Sequence, residues 1–332
     1  MRRLRRSTLL AALCLSACAG IGTADEQQRF IDRMVSEHGF EATQLRELLS
    51  GAHRVQGILD AISRPAEAMP WWKYRRIFLT PERAAGGAAY WQRNADTLAR
   101  AEATYGVAPE IIVAIIGVET FYGRHTGKYP VLDALYTLGF HYPKRGAFFR
   151  QQLGEFLLLA REEAVDPTSL TGSYAGAMGR PQFIPSSYRA YAVDFDGDGH
   201  RDIWENDADV IGSVANYFAR HGWRHGAPVA SPLSGVGAGH EAFVAAGMKP
   251  SLTLGQLRAA GIRGAAGLAD QTATSLVELE QPQGYEYWAG LDNFYVITRY
   301  NHSNLYAMAV YQLSREILAL RNTETTAKRN HD

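Results

Sequence analysis

Pro109-Glu110-Ile111-Ile112-Val113-Ala114-Ile115-Ile116-Gly117-Val118-Glu119-Thr120-Phe121-Tyr122-Gly123 is the stretch from which the rest of this chain is read. Pro109 suits the first turn of a helix, where its missing N–H is not needed. Beyond Glu110, which sits in the favourable first turn, the next residues are apolar or small on every face. That pattern predicts a buried helix, and one too short for the roughly 20 residues that span a bilayer. Glu119 closes the run, and Gly123 and Gly127 are expected to mark the exit into a loop. Apolar neighbours and the negative end of the helix dipole both disfavour a carboxylate. Glu119 should therefore keep its proton near neutral pH, as a general acid must. A Glu that merely closes the helix and pairs with Arg124 or His125 accounts for the position equally well.

The 332 residues, 46% of them apolar, suffice for one to three domains. Arg2, Arg3, Arg5 and Arg6 precede a short apolar run from Leu9 to Leu15, which reads as an export leader over 1–17. Leu15-Ser16-Ala17-Cys18 resembles a bacterial lipobox, in which Cys18 is acylated and becomes the mature N-terminus. An ordinary secretory leader with an incidental cysteine is the plainer alternative. Basic and acidic residues balance at 34 each, so loss of the four leader arginines leaves a mature charge of −4. No basic run survives to suggest nucleic acid. Of the two cysteines, Cys14 leaves with the leader and Cys18 takes lipid, so no thiol is left for a disulfide.

Residues 24–105 read as helical, with Phe30, Ile31, Met34 and Val35 at helix spacing. Thr80-Pro81-Glu82-Arg83 is a helix start. Pro70-Trp71-Trp72-Lys73-Tyr74 fits core packing, and aromatics also form flat platforms for sugar rings. Helices are expected over 130–140 and 148–164, the second turning Leu153, Phe156, Leu157 and Ala160 inward. Residues 171–188 are rich in Gly, Ser and Pro and read as a loop followed by a short helix. Further helices are expected over 209–220 and 254–260. Segments 275–280, 285–289 and 294–300 read as strands. A closing helix over 304–320 precedes a polar, disordered tail from Asn322.

Asp194-Phe195-Asp196-Gly197-Asp198-Gly199-His200-Arg201-Asp202-Ile203-Trp204-Glu205 fits the twelve-residue EF-hand loop. Asp194, Asp196 and Asp198 alternate, Gly199 permits the sharp turn, and His200 offers its backbone carbonyl. Hard oxygen donors at this spacing select Ca²⁺. The template takes Glu205 as last ligand, and departs from an EF-hand at Arg201, where an aliphatic residue is usual. An acidic surface turn is the alternative.

Together, G-V-E-T-x-x-G, S-Y-A-G-A-M-G-x-x-Q-F-x-P-S-S-Y, D-x-D-G-D-G and F-Y-V-I-T-R-Y-N-H-S closely resemble the membrane-bound lytic murein transglycosylase B family, in consistent order from about residue 26 to 320. The resemblance implies an α+β, mainly α fold. Its parts are an N-terminal α domain (18–105, with helix 304–320), a lysozyme-like core (106–225) with the calcium loop at 194–209, a small β domain (226–303) and a tail (322–332). It places the catalytic acid on Glu119 and saccharide contacts on Ser173, Gln182, Tyr300, Asn301 and Tyr306, with Tyr74 and Arg145. It puts structural calcium on Asp194, Asp196, Asp198, the His200 carbonyl and Asp209, against Glu205 from the template. It implies no organic cofactor. Its partners are glycan strands and the outer membrane, reached from the periplasm through the lipid, and not nucleic acid. Cell-wall synthesis and remodelling proteins stay open as further partners.

The implied reaction uses one carboxyl where ordinary glycosidases use two. Glu119 protonates the oxygen between N-acetylmuramic acid and N-acetylglucosamine, the N-acetyl group stabilises the cationic centre, and Glu119 then deprotonates the C6 hydroxyl, which closes a 1,6-anhydro ring. Ser173 and Gln182 could fix the N-acetyl arm or simply build the loop. A hydrolytic muramidase on the same fold is one rival reading. A non-enzymatic, calcium-stabilised wall-binding lipoprotein is the other, and an apolar helix that delivers one Glu to an aromatic, Gly-rich cleft argues against it.

Overall fold

The computed structural model describes residues 10–63 and 69–329, the backbone alone at 10–21 and 324–329. The arginines of the leader lie outside the described residues, and Cys18 is described only as helix backbone. Among the described residues the chain forms fifteen helices and seven short strands in two compact units that interleave along the sequence.

The first unit takes in described residues of Met1–Arg64, Gly127–Met178 and Phe183–Arg189. It holds α1 (Leu10–His38), α2 (Ala42–Gly51), α3 (Gln56–Ile62), α8 (Val131–His141), α9 (Gly146–Glu162) and most of α10 (Pro185–Tyr191). A two-residue pairing joins β1 (Tyr129–Pro130) to β2 (Thr171–Gly172). Leu153, Phe156, Leu157 and Ala160 of α9 are buried, as their spacing predicts. Arg150 of α9 ties this unit together: it donates to the Gly139 carbonyl of α8 at 2.7 Å and pairs with Glu26 of α1 at 2.9 Å.

The second unit takes in described residues of Pro65–Thr126, Gly179–Gln182 and Ala190–Asp332. Its helices are α4 (Trp71–Phe78), α5 (Pro81–Arg93), α6 (Ala95–Tyr105), α7 (Pro109–Thr120) and α11 (Asp207–Arg220), followed by α12 (Glu241–Ala245), α13 (Leu254–Ala259), α14 (Asp292–Tyr300) and α15 (Asn304–Arg329). Strands β3 (Ala230–Ser234), β4 (Leu252–Thr253), β5 (Arg263–Gly264), β6 (Ala273–Glu280) and β7 (Tyr285–Gly290) form an antiparallel sheet in the order β4-β6-β7-β3-β5. Helix α7 is packed by α5, α6, α11 and α15. That surround explains why it can be apolar all round: Ile111, Ile112, Val113, Ile115, Ile116 and Val118 are all buried. Each contributes about 1.5–3 kcal/mol against exposure, and truncating one such as Ile112 to Ala would cost about 2–5 kcal/mol. Among the described residues, no single helix is long and apolar enough to cross a membrane.

Two local expectations are corrected. Residues 294–300 are not a strand but lie in α14, despite their aromatic and β-branched content. The Asn293 side chain accepts from Arg224 N and donates to the carbonyls of Arg224 and Ala227, which fixes the start of a helix. Its burial then follows helix spacing, with Asn293, Phe294, Ile297 and Thr298 inward; tertiary packing overrides strand propensity. The closing helix also runs past Leu320 to Arg329, so described residues of the expected disordered tail are helical. No Gly or Pro follows Asn304 to stop it. After α7, Gly123 and Gly127 take positive φ in the exit loop as expected, and the turn already begins at Phe121, which takes the left-handed conformation at φ 51°, with Tyr122 at φ 59°.

Candidate active site

The residues after α7 show what makes that termination worth its strain, since left-handed backbone is costly for residues other than Gly. Phe121 N and Tyr122 N donate to the carbonyls of Gly117 and Ile116, which closes the helix. The Tyr122 hydroxyl donates to the Arg83 carbonyl of α5 at 2.8 Å. It passes between Gly87 and Gly117, where an added Cβ on either would come within 2.5 Å of it. The Arg83 guanidinium donates to the Gly117 carbonyl and lies 4.6 Å over the Phe121 ring. A cation thus sits at the negative end of α7.

Thr120 fixes the other side. Its hydroxyl donates to the Arg180 carbonyl at 2.9 Å and accepts from Gly123 N at 3.1 Å. The segment Gly179–Gln182 is bound at three further points. The Gln182 amide donates to the Thr126 and Gly179 carbonyls, the Tyr300 hydroxyl donates to the Pro181 carbonyl at 2.6 Å, and the Arg180 guanidinium pairs with Asp207. Asp207 also accepts from Tyr90 and Asn94.

Glu119 is half-buried within this frame. The Tyr306 hydroxyl donates to its Oε1 at 2.5 Å. Neither Arg124 nor His125 takes that place: Arg124 lies over Phe121, and His125 N donates to the Thr120 carbonyl. Burial pushes the Glu119 carboxyl up to about 7, opposed by the Tyr306 hydrogen bond; no second carboxylate among the described residues adds to the displacement. Tyr306 and Tyr300 are themselves held well above the usual phenol value, first by burial and then by the Glu119 charge. Their rings stack 6.5 Å apart. The arrangement can hold a proton near neutral pH and release it toward a bound oxygen.

The other sequence-derived positions fall as follows. Tyr74 of α4 stacks on Trp71 and raises the Tyr306 hydroxyl further, so it belongs with the Glu119 group. Asn301 follows α14 and is exposed. In the first unit, Ser173 Oγ accepts from Ala175 N and Ala177 N, shaping its own loop, and Arg145 lies over Phe148 and Phe149. The bracing residues Arg83, Thr120, Tyr122 and Arg180 carry no signal of their own in the sequence, although Thr120 stands inside the G-V-E-T-x-x-G run.

The acidic loop gathers three of its carboxylates. Asp194, Asp196 and Asp209 bring oxygens within 4.8 Å of one another. Asp209, fully buried in α11, accepts from Phe195 N and Asp202 N, both at 2.7 Å. Burial, more than its acidic neighbours, raises its carboxyl. Asp198 stands apart and accepts from His200 N at 2.9 Å. Glu205 is turned to solvent and pairs with Arg180 at 3.3 Å. Three carboxylates, two from the loop and one from α11, suit a hard cation and no soft metal.

Comparison with known proteins places this geometry. The model of the family described as "Transglycosylase SLT domain" matches residues 22–315. Membrane-bound lytic murein transglycosylase B of Escherichia coli (strain K12) is 47% identical over 304 residues, 89% of this chain and 83% of that protein. The crystal structure of soluble lytic transglycosylase SltB1 from Pseudomonas aeruginosa is 55% identical, with a TM-score of 0.85 over 90% of this chain and 99% of its own. That of the E. coli lytic transglycosylase Slt35 in complex with calcium is 47% identical, with a TM-score of 0.82 over 89% of this chain and 93% of its own.

Proposed function

Because the chain belongs to the transglycosylase SLT domain family and is a lytic transglycosylase that cleaves peptidoglycan, we propose that Glu119 alone carries its acid–base chemistry. One observation supports this above the rest: Glu119 is displaced to about 7 by burial, with Tyr306 as partner and no second carboxylate among the described residues acting on it. Two-carboxylate glycosidases hold their acids about 5–9.5 Å apart, close enough in a buried site for each to displace the other.

The protonated Glu119 gives its proton to the oxygen leaving C1 of N-acetylmuramic acid. The substrate's N-acetyl group shields the cationic centre. Glu119, now a carboxylate steadied by the Tyr306 hydroxyl, takes the proton of the C6 hydroxyl, whose oxygen closes on C1. The product end is a 1,6-anhydro ring and no water is consumed. Intramolecular delivery replaces a second carboxylate, with effective concentrations reaching about 10⁵–10⁸ M in well-oriented cases. Tyr74, Tyr300 and Asn301 on the Glu119 side, and Ser173, Gln182 and Arg145 from their loops, would contact the saccharide.

Calcium enters the same reading. Asp194, Asp196 and Asp209 would hold it with Asp198 and the His200 carbonyl, and it would supply only a cross-link between the loop and α11. Asp209 is favoured over Glu205 because its carboxylate already faces Asp194 and Asp196. Acylation at Cys18 would anchor the chain to the periplasmic face of the outer membrane, in line with the membrane-bound relative.

Digestion of sacculi in ¹⁸O-labelled water tests the reaction. The expected ends are 1,6-anhydromuramic acid without label. Predominantly reducing ends carrying one ¹⁸O, analysed without chemical reduction, would replace the transglycosylase step with hydrolysis.

A further inference from the structure

The turn Gly179–Gln182 sends successive carbonyls to different partners. Gly179 O accepts from Gln182 N and from the Gln182 side-chain amide, Arg180 O from the Thr120 hydroxyl, and Pro181 O from the Tyr300 hydroxyl. Both hydroxyls belong to residues beside the acid. Thr120 follows Glu119 on α7, and the Tyr300 ring stacks on Tyr306, whose hydroxyl donates to Glu119. A displacement of this one turn therefore reaches Glu119 by two routes.

The turn needs outside support to keep its shape. Gln182 is left-handed at φ 52°, and such backbone persists only where its surroundings over-determine it. Arg180 supplies much of that support. Its N–H donates to the Ile203 carbonyl at 2.9 Å, and its guanidinium pairs with Asp207, the first residue of α11. Asp207 is fixed in turn by the Tyr90 hydroxyl at 2.8 Å and the Asn94 amide at 3.2 Å. The Arg180 side chain is 18% exposed and that of Asp207 29%, so this is not the freely solvated kind of ion pair that contributes little. The stem of Arg180 also lies against the exit of α7, where a Cβ on Gly123 would meet its Nε at 3.0 Å. The guanidinium is occupied by Asp207 and Glu205, so its influence on Glu119 runs through the backbone of the turn.

We propose that Arg180 is a positioning residue for Glu119: anchored on Asp207, it holds the turn where the Arg180 and Pro181 carbonyls seat Thr120 and Tyr300. The proposal rests on the reading of Glu119 as the acid–base group and extends it to what keeps that group in place.

The test uses the full chain labelled with ¹³C at the glutamate side-chain carboxyls, the Glu119 signal being assigned from Glu119→Gln. Its titration midpoint is read beside kcat, KM and the melting temperature in the parent, Arg180→Met, Arg180→Lys and Asp207→Asn. The other ionisable groups set around Glu119 are Tyr306 of α15, Tyr300 of α14, Tyr74 of α4 and Arg83 of α5, which lies on the Gly117 carbonyl. Tyr306 and Tyr300 stand well above the usual phenol value, clear of the Glu119 step. In Arg180→Met we expect the Glu119 midpoint to rise by about half a unit to one unit, as the Tyr306 hydrogen bond to the carboxylate weakens. Turnover should fall about ten- to hundredfold, the scale of a 1 Å misplacement, with KM within about twofold. Arg180→Lys, which keeps a cation for Asp207, should recover most of both, and Asp207→Asn should fall between. A midpoint and kcat equal to the parent's in Arg180→Met, whatever its melting temperature, would overturn the proposal and leave Arg180 a structural brace. Should Arg180→Met not fold, the same values in Asp207→Asn decide in the same way. A loss confined to KM would overturn it in favour of saccharide binding. Failure of the acid–base reading shows separately, as activity retained by Glu119→Gln, because the carboxyl midpoint is read without turnover.

Discussion

Glu119→Gln separates the stability of the site from its chemistry. The amide still accepts from Tyr306, so the hydrogen bond at 2.5 Å has a counterpart in the variant, and only the titrating proton is lost. In the parent, burial raises the Glu119 carboxyl from 4.5 to about 7. A group whose folded pKa is raised contributes its stability below the unfolded pKa and loses it as pH rises through the folded one. At about 1.4 kcal/mol per pH unit, the parent should lose about 3 kcal/mol between about pH 4.5 and the alkaline side of 7. The variant has no such group and keeps that stability. Denaturant unfolding of both proteins across this range should show a difference that grows from near zero to about 3 kcal/mol in favour of Gln, because all other titrations cancel. Activity on sacculi should meanwhile fall by at least about 10²–10⁴-fold. A stability difference that stays constant from about pH 4.5 to about pH 8.5 would refute a desolvated, protonated Glu119.

Three further outcomes are expected. Tyr306→Phe removes the hydrogen bond that stabilises the Glu119 carboxylate, so the alkaline limb of kcat/KM against pH should move upward, at a stability cost of about 1 kcal/mol; a limb that moves down would contradict the geometry. Chelation should lower the melting temperature, since a ligand at a hundredfold excess over Kd adds about 2.7 kcal/mol. Asp196→Ala, at an exposed position of the acidic group, should abolish that response, and a melting curve indifferent to chelator in the parent would leave the loop an acidic turn. Cys18→Ala should move tagged protein out of the outer-membrane fraction, and unchanged fractionation would remove the lipid anchor.

The sequence by itself determined the helix that carries Glu119 and the direction in which that carboxyl is displaced. An apolar run with no polar face admits only a buried helix, and an acid at its end must be desolvated whatever surrounds it. Pattern also placed the helices of both units apart from α12 and α14, the strands β6 and β7, and the acidic loop, because each rests on local spacing. Tertiary structure alone decided what lies far apart in the chain. Tyr306 stands 187 residues from Glu119 and reaches it only through the packing of α15 on α7. That Asp209 and not Glu205 lies beside Asp194 and Asp196 could be seen only in the fold, since both fit an acidic position downstream of the loop. Residues 294–300 have the composition of a strand, yet Asn293 and the contacts of α14 with α15 wind them into a helix. Arg83, Thr120 and Tyr122 brace the end of the Glu119 helix through backbone carbonyls. A carbonyl is the same at every position of the sequence, so only the fold could show which ones these side chains would find.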